Sequence, residues 1–124
     1  ISIDEIDEIT IKLKTWINDP DVNIIITTGG TGITKRDVTP EAISLISDKI
    51  IDGFGELFRM ISYQKIGTST LQSRAIACVS GNTYIFSVPG SPNACKDAWD
   101  EILKFQLDNR HKPCNFIELI PRLD

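Results

Sequence analysis

Four short groups of residues in this chain have the types and spacing that chemistry needs. The first is Gly29-Gly30-Thr31-Gly32, directly after the β-branched run Val22-Asn23-Ile24-Ile25-Ile26-Thr27-Thr28. Clustered glycines let backbone N–H groups come close to an anion such as a phosphate. The same glycines also serve a tight turn that needs positive φ. The second is Asp37, five residues past Gly32 and close to Thr39-Pro40-Glu41. A carboxylate there can sit at a helix terminus, or it can hold Mg²⁺ between phosphates. The third is Ser73-Arg74, a hydroxyl beside a planar fork of donors suited to phosphate or carboxylate, or else a surface pair. The fourth is Pro89-Gly90-Ser91-Pro92, a second glycine loop after the apolar run Thr83 to Val88.

Two well-known phosphate loops are excluded by spacing. Gly29 to Lys35 lacks the G-x-x-x-x-G-K-[ST] pattern, and Gly30-Thr31-Gly32 has no third glycine where a dinucleotide fingerprint requires one. His111 stands alone in a basic tail, with no cysteine or carboxylate at metal-ligand spacing. Cys78 falls in an expected strand and reads as packing. Cys95 opens an expected helix, where a thiolate is favoured, and is the most reactive thiol expected.

These groups need a scaffold. Ile6, Ile9, Leu13, Trp16 and Ile17 recur at helical spacing, with Ser2 and Glu5 as a capping box and Asp19-Pro20 as the stop. The runs 22–28 and 83–88 predict strands buried on both faces, as in a parallel sheet. Thr39 is expected to cap a helix that has Pro40 as its first residue. Gly53 and Gly55 interrupt the apolar pattern before a short helix around Leu57, Phe58, Ile61 and Tyr63. A polar stretch, 67–74, precedes a strand at 75–79, and Ser80-Gly81-Asn82 reads as a turn. A further helix is expected from about Asn93 to Leu107, with an extended tail from Asp108 onward. If the two strands run parallel in one sheet, both glycine loops emerge at their carboxyl ends. That rim is where open α/β folds bind ligands.

Composition bounds the function. The chain has 124 residues, 13 Lys+Arg against 17 Asp+Glu and a net charge of −4, which argues against a general nucleic-acid binder. No apolar run approaches the eighteen or so residues of a bilayer span, and no secretory signal opens the chain. Three dispersed cysteines fit a reducing, cytoplasmic setting. One α/β domain is expected.

The sequence Thr27-Thr28-Gly29-Gly30-Thr31-Gly32, with Arg36-Asp37-Val38-Thr39-Pro40-Glu41-Ala42, resembles the molybdopterin-binding domain family. Gly53 to Arg59, Ile66 to Ala75, Pro89 to Pro92, Gln106 to Asp108 and Arg110 to Phe116 extend the likeness over essentially the whole chain. The resemblance implies a three-layer α/β fold, with a mostly parallel sheet and helices on both faces. It implies a homotrimer, or a hexamer of two trimers, with other cofactor-biosynthesis proteins as further partners. It implies a role in molybdenum cofactor biosynthesis, in which molybdopterin is bound and adenylylated by ATP with Mg²⁺. The alternative within the family is a pterin-binding oligomeric carrier or scaffold with little transferase activity. By the same resemblance Thr28, Gly29, Gly30, Thr31 and Gly32 bind substrate phosphate. Ser73 and Arg74 join them, Pro89, Gly90 and Ser91 form the facing wall, and Asp37 is catalytic and organises the Mg²⁺. Asp4 stands where the family has a second functional aspartate. The family also begins with a strand, helix and strand. The resemblance therefore implies that this segment, with part of the pterin pocket, is missing here.

Overall fold

Strand β4, Thr83–Val88, is the axis of the molecule, and every one of its residues is buried. The computed structural model describes residues 3–123, with side chains from Glu5 onward. The sheet order is β1 (Ile24–Thr28), β4, β3 (Ile76–Ser80) and β2 (Lys49–Ile50). β1 pairs with β4 in parallel, with Ile24 opposite Tyr84 and Thr28 opposite Val88. β3 runs antiparallel to β4 and β2 antiparallel to β3.

Helices cover both faces, as a three-layer fold requires. Alternation along β4 sends Tyr84, Phe86 and Val88 to one face, against Phe54 and Phe58 of α3 (Asp52–Ile66) and Ala98 of α4 (Pro92–Ala98). Ile85 points the other way. It meets Leu13 of α1 (Ile3–Ile17), Ile25, Ile43 of α2 (Thr39–Ile46) and Cys78. α4 continues through a π-helical turn, Trp99–Leu103, into α5 (Lys104–Gln106), which makes the single helix expected from about 93 to 107.

Several expectations are corrected. The sheet is mixed, with parallel pairing confined to β1 and β4 among the described residues. A two-residue turn, Gly81-Asn82, joins β3 to β4, and so short a loop can join only antiparallel strands. β1 is not buried on both faces. It is an edge of the described sheet, and Ile26 is 45% exposed. Gly53 and Gly55 do not break a helix but lie in the first turn of α3. A Cβ on Gly55 would come within 2.7 Å of the Ala75 carbonyl, so its absence lets α3 approach the sheet. The tail is not extended. Phe116 stacks on Tyr84 at 4.8 Å, its carbonyl accepts from the Tyr84 hydroxyl, and the Asn115 side chain caps α6 (Phe116–Leu119). Ser2 of the expected capping box lies outside the described residues.

Cys78 is fully buried between the sheet and the α1–α2 layer, and burial pushes its thiol up to about 12. Cys114 is exposed. At pH 8 Ellman's reagent is expected to modify Cys114 quickly and to leave Cys78 untouched until urea unfolds the chain. Rapid native-state labelling of Cys78, read by peptide mapping, would contradict the packing.

Candidate functional site

The parallel β1–β4 pair decides where the two glycine loops go. Thr28 and Val88 end their strands side by side, and the Gly29 N–H donates to the Val88 carbonyl at 2.9 Å. A Cβ on Gly90 would lie 3.3 Å from the Gly29 Cα, so the loops touch through backbone alone. Gly29 and Gly30 take φ of 89° and 72°, conformations that side chains disfavour. The two loops therefore share one rim, as parallel strands require.

Behind the first loop, protein donors occupy four successive carbonyls. Gly29 O accepts from the Thr39 hydroxyl at 3.3 Å and Gly30 O from the Thr39 N–H at 3.1 Å. Thr31 O accepts from the Arg74 N–H at 2.8 Å and Gly32 O from Arg74 Nε at 2.7 Å. These peptide bonds are all trans. In a trans peptide the C=O and the next N–H point in opposite directions. Holding the carbonyls on Thr39 and Arg74 thus aims each following N–H away from those partners, and the Gly32 N–H meets the Asp37 carboxylate. Thr39 was expected to cap α2. Its hydroxyl binds the loop instead, and Val38 takes the cap position without a side-chain bond.

Beside the loop lies a cavity of about 320 Å³. Gly30, Thr31, Gly32 and Asp37 form one wall, and Pro89, Gly90 and Ser91 face them. Ser73 closes it from the end of the 3₁₀ segment Gly67–Gln72. A larger depression of about 530 Å³ adjoins it and shares Ser62, Ile66, Ser91 and Ala94. Together they make a groove between α3 and α4, spanned by the Lys65–Asp97 ion pair at 2.5 Å.

Asp37 is held rather than loose. Its Oδ2 accepts from the Thr34 hydroxyl at 2.7 Å and the Thr34 N–H at 3.0 Å. Those bonds, with a smaller share from the Gly32 N–H and the Arg74 charge, keep its carboxyl below the usual aspartate range. Ser91 uses its Oγ to cap α4, accepting from the Ala94 N–H at 3.2 Å. The Cys95 thiol donates to the Pro89 carbonyl at 3.4 Å, which ties α4 to the facing loop.

The sequence-predicted residues do not all converge. Gly30, Thr31, Gly32, Asp37, Ser73, Pro89, Gly90 and Ser91 line one cavity, whereas Thr28 and Gly29 stand behind it. Arg74 does not line it either. Its guanidinium binds Gly32 O, Asp37 O and both oxygens of Glu41. Asp4 lies in the first turn of α1, and its side chain is outside the described residues. Phe58, Ser62 and Ile66 of α3, with Ser69 and Gln72, are lining residues the motifs did not single out. The first three follow i, i+4, i+8 spacing, and a serine inside an apolar helical stripe is a readable sign of a wetted face.

Residues 1–109 match the family described as "Probable molybdopterin binding domain". The chain belongs to the molybdopterin-binding domain family. Molybdenum cofactor biosynthesis protein B of Escherichia coli (strain K12) is 51% identical over 105 residues, which covers 85% of this chain and 62% of that protein. A crystal structure of a molybdenum cofactor biosynthesis protein B has a TM-score of 0.82 at 41% identity, covering 95% of this chain and 68% of that one. The tungsten cofactor synthesizing protein from Pyrococcus furiosus gives 0.73 at 40% identity, covering 82% and 64%. This chain therefore spans about three-fifths of the length of the curated relatives it matches. The likeness to solved members supports the layered α/β fold of this member of the molybdopterin-binding domain family.

Two predictions test the site of this family member. In Gly30→Ala the new methyl meets the Thr39 hydroxyl and the backbone keeps a positive φ. A loss of at least about 1–2 kcal/mol is expected from the conformation alone; an unchanged urea midpoint would show that the loop does not adopt this turn. The second uses pH. Asp37 has a depressed folded pKa, so its stabilisation is complete above the unfolded value, near 3.8, and is lost as pH falls through the folded value. Urea midpoints of wild type and Asp37→Asn should differ at pH 7 and converge in acid. A gap that widens in acid would contradict the assigned hydrogen bonds.

Proposed function

We propose that this chain works in molybdenum cofactor biosynthesis, binding molybdopterin by its terminal phosphate and transferring an adenylyl group to it from ATP. The observation that carries the reading is the glycine loop Gly30 to Gly32, its carbonyls held by Thr39 and Arg74, lining a cavity that also holds Asp37 and Pro89 to Ser91. Family membership and the names of the similar proteins supply the pterin. Thr28 and Gly29 set the loop, Gly30 to Gly32 bind the phosphate, and Ser73 and Ser91 add hydroxyls. Asp4 is carried as a second acidic residue of the site.

The reaction forms one P–O bond and breaks another. An oxygen of the pterin phosphate attacks the α-phosphorus of ATP. The bond from that phosphorus to the β-phosphate bridging oxygen breaks, and pyrophosphate leaves with its electron pair. No side chain need be covalently modified. Catalysis then consists of alignment and charge neutralisation. The N–H groups orient the attacking phosphate without adding a mobile counter-charge. Pro89 to Ser91 restrict its approach from the opposite side.

The residues present fit a magnesium ion of the kind nucleotides carry. Among the described residues no cluster of three or more His, Cys, Asp or Glu forms a cation cage, while Asp37 offers one carboxylate oxygen beside the cradle. Mg²⁺ commonly takes one or two carboxylates and otherwise phosphates and water. Bound there, it would neutralise phosphate charge that Asp37 alone would repel. The working form proposed is a homotrimer or hexamer in the cytoplasm. Among the described residues no helix is long and apolar enough to cross a membrane.

The deciding assay supplies molybdopterin, ATP and Mg²⁺ and measures pyrophosphate release. In Asp37→Asn folding and pterin binding should persist while kcat falls by orders of magnitude. Near wild-type turnover of that variant would remove Asp37 from the chemistry. A wild-type chain that binds the pterin and releases no pyrophosphate would instead be a carrier or scaffold.

A further inference from the structure

We propose that Arg74, braced by Glu41, is a positioning residue that fixes the phosphate cradle and Asp37 at one set separation, and is not itself a phosphate ligand. Its guanidinium has five N–H donors, and four of them are committed. Nε donates to Gly32 O at 2.7 Å, which sets the last peptide of the cradle. Nη2 donates to Asp37 O at 2.7 Å, which sets the backbone of the carboxylate. Nη1 and Nη2 take Glu41 Oε2 and Oε1 at 2.5 and 3.1 Å. One rigid plane thus spans both working parts of the site.

The direction of the side chain decides against a ligand role. The cavity is lined by Ser73 but not by Arg74, which lies on the far side of the loop with Glu41, Val38 and Ile33. Turning it toward the cavity would release two backbone carbonyls and strip Glu41 of its partner. The Arg74 N–H adds a further hold, on Thr31 O at 2.8 Å. Lysine has the charge but lacks the planar fork, so it cannot hold two carbonyls and a carboxylate at once. Glu41 matters because it takes up the guanidinium charge on the side away from the substrate.

The inference rests on the phosphate-binding reading of the loop, and the test keeps the two separable. Inorganic pyrophosphate is titrated calorimetrically into the full chain and into Arg74→Lys and Glu41→Ala. Backbone ¹⁵N order parameters from Gly32 to Asp37 are measured without ligand. For a positioning residue, Arg74→Lys should bind roughly tenfold or more weakly, with order parameters falling from about 0.85 to below 0.6. Glu41→Ala should bind a few-fold more weakly, because the brace is lost. A ligand role predicts the opposite sign for Glu41→Ala, since removing the carboxylate frees a positive charge and tightens binding. It also predicts unchanged order parameters from Gly32 to Asp37 in Arg74→Lys. Tighter binding in Glu41→Ala, or unchanged order parameters in Arg74→Lys, would overturn the inference. If the wild type itself does not bind pyrophosphate, the phosphate reading falls, and the order parameters still decide whether Arg74 sets the loop.

Discussion

A trans peptide carries its carbonyl and its N–H on opposite sides, so whatever captures the carbonyls of a loop also aims its N–H groups. Around Gly29 to Gly32 that capture is complete. Two residues distant in sequence, Thr39 and Arg74, take four successive carbonyls. Neither does so by charge attraction to a substrate. The result is a loop whose conformation is fixed by its own protein partners, the state in which backbone amides would serve the proposed anion site best. Glycine is needed because the path of the loop uses positive φ and because Gly90 approaches the Gly29 backbone directly.

That arrangement depends in turn on β4. Only a parallel neighbour ends its strand at the same rim, so the β1–β4 pair alone makes the two loops meet. The antiparallel strands on the other side have a different task. β3 buries Ala77 and Cys78 on opposite faces, and the chain entering it brings Ser73 to the cavity and Arg74 to the back of the loop. Small residues there allow close approach: α3 packs under Ala75 through Gly55, and Arg59 donates to the Ser73 and Ala75 carbonyls at 3.4 and 3.1 Å. The aromatic column of Phe54, Phe86, Tyr84 and Phe116 then locks the C-terminal segment onto the same face.

How much of this the sequence discloses follows from what is local. Strand 83–88, the Pro40 helix start, the Gly81-Asn82 turn and the long helix after Pro92 are written in periodicity and turn chemistry, and all are found. The rim position of both glycine loops follows from two strands that each end in a glycine loop and from their one parallel pairing. What periodicity does not carry is direction. The run 22–28 looks as buried as 83–88, because β-branched content reports strand formation and not the number of neighbours. The tail after Asp108 has no periodic signal, and its order comes from the long-range contacts of Phe116 with Tyr84 and from local bonds of the Asn115 side chain. Arg74 is the sharpest case. A serine–arginine pair in a polar stretch reads as an anion ligand or as a surface pair, and only the folded arrangement reveals that the guanidinium binds the loop from behind.

The same logic separates two kinds of acid in this site. Glu41 lies outside the cavity and is matched by a permanent cation, which together with its own hydrogen bonds holds its carboxyl below the usual glutamate range. Asp37 is held chiefly by neutral donors, the Thr34 hydroxyl and N–H, with the arginine only a minor influence. Neutral donors fix a carboxylate in place without cancelling its charge. An ion-paired aspartate would have little left for a cation arriving with a nucleotide. An unpaired and unbonded one would be mobile and less certain to be ionised. Thr34 and Arg74 divide those duties: the threonine orients the carboxylate, and the arginine anchors the backbone beneath it while spending its charge on Glu41. Asp37 therefore remains both ordered and negative at the cavity wall, the state that the proposed phosphate-borne Mg²⁺ would require of a protein ligand.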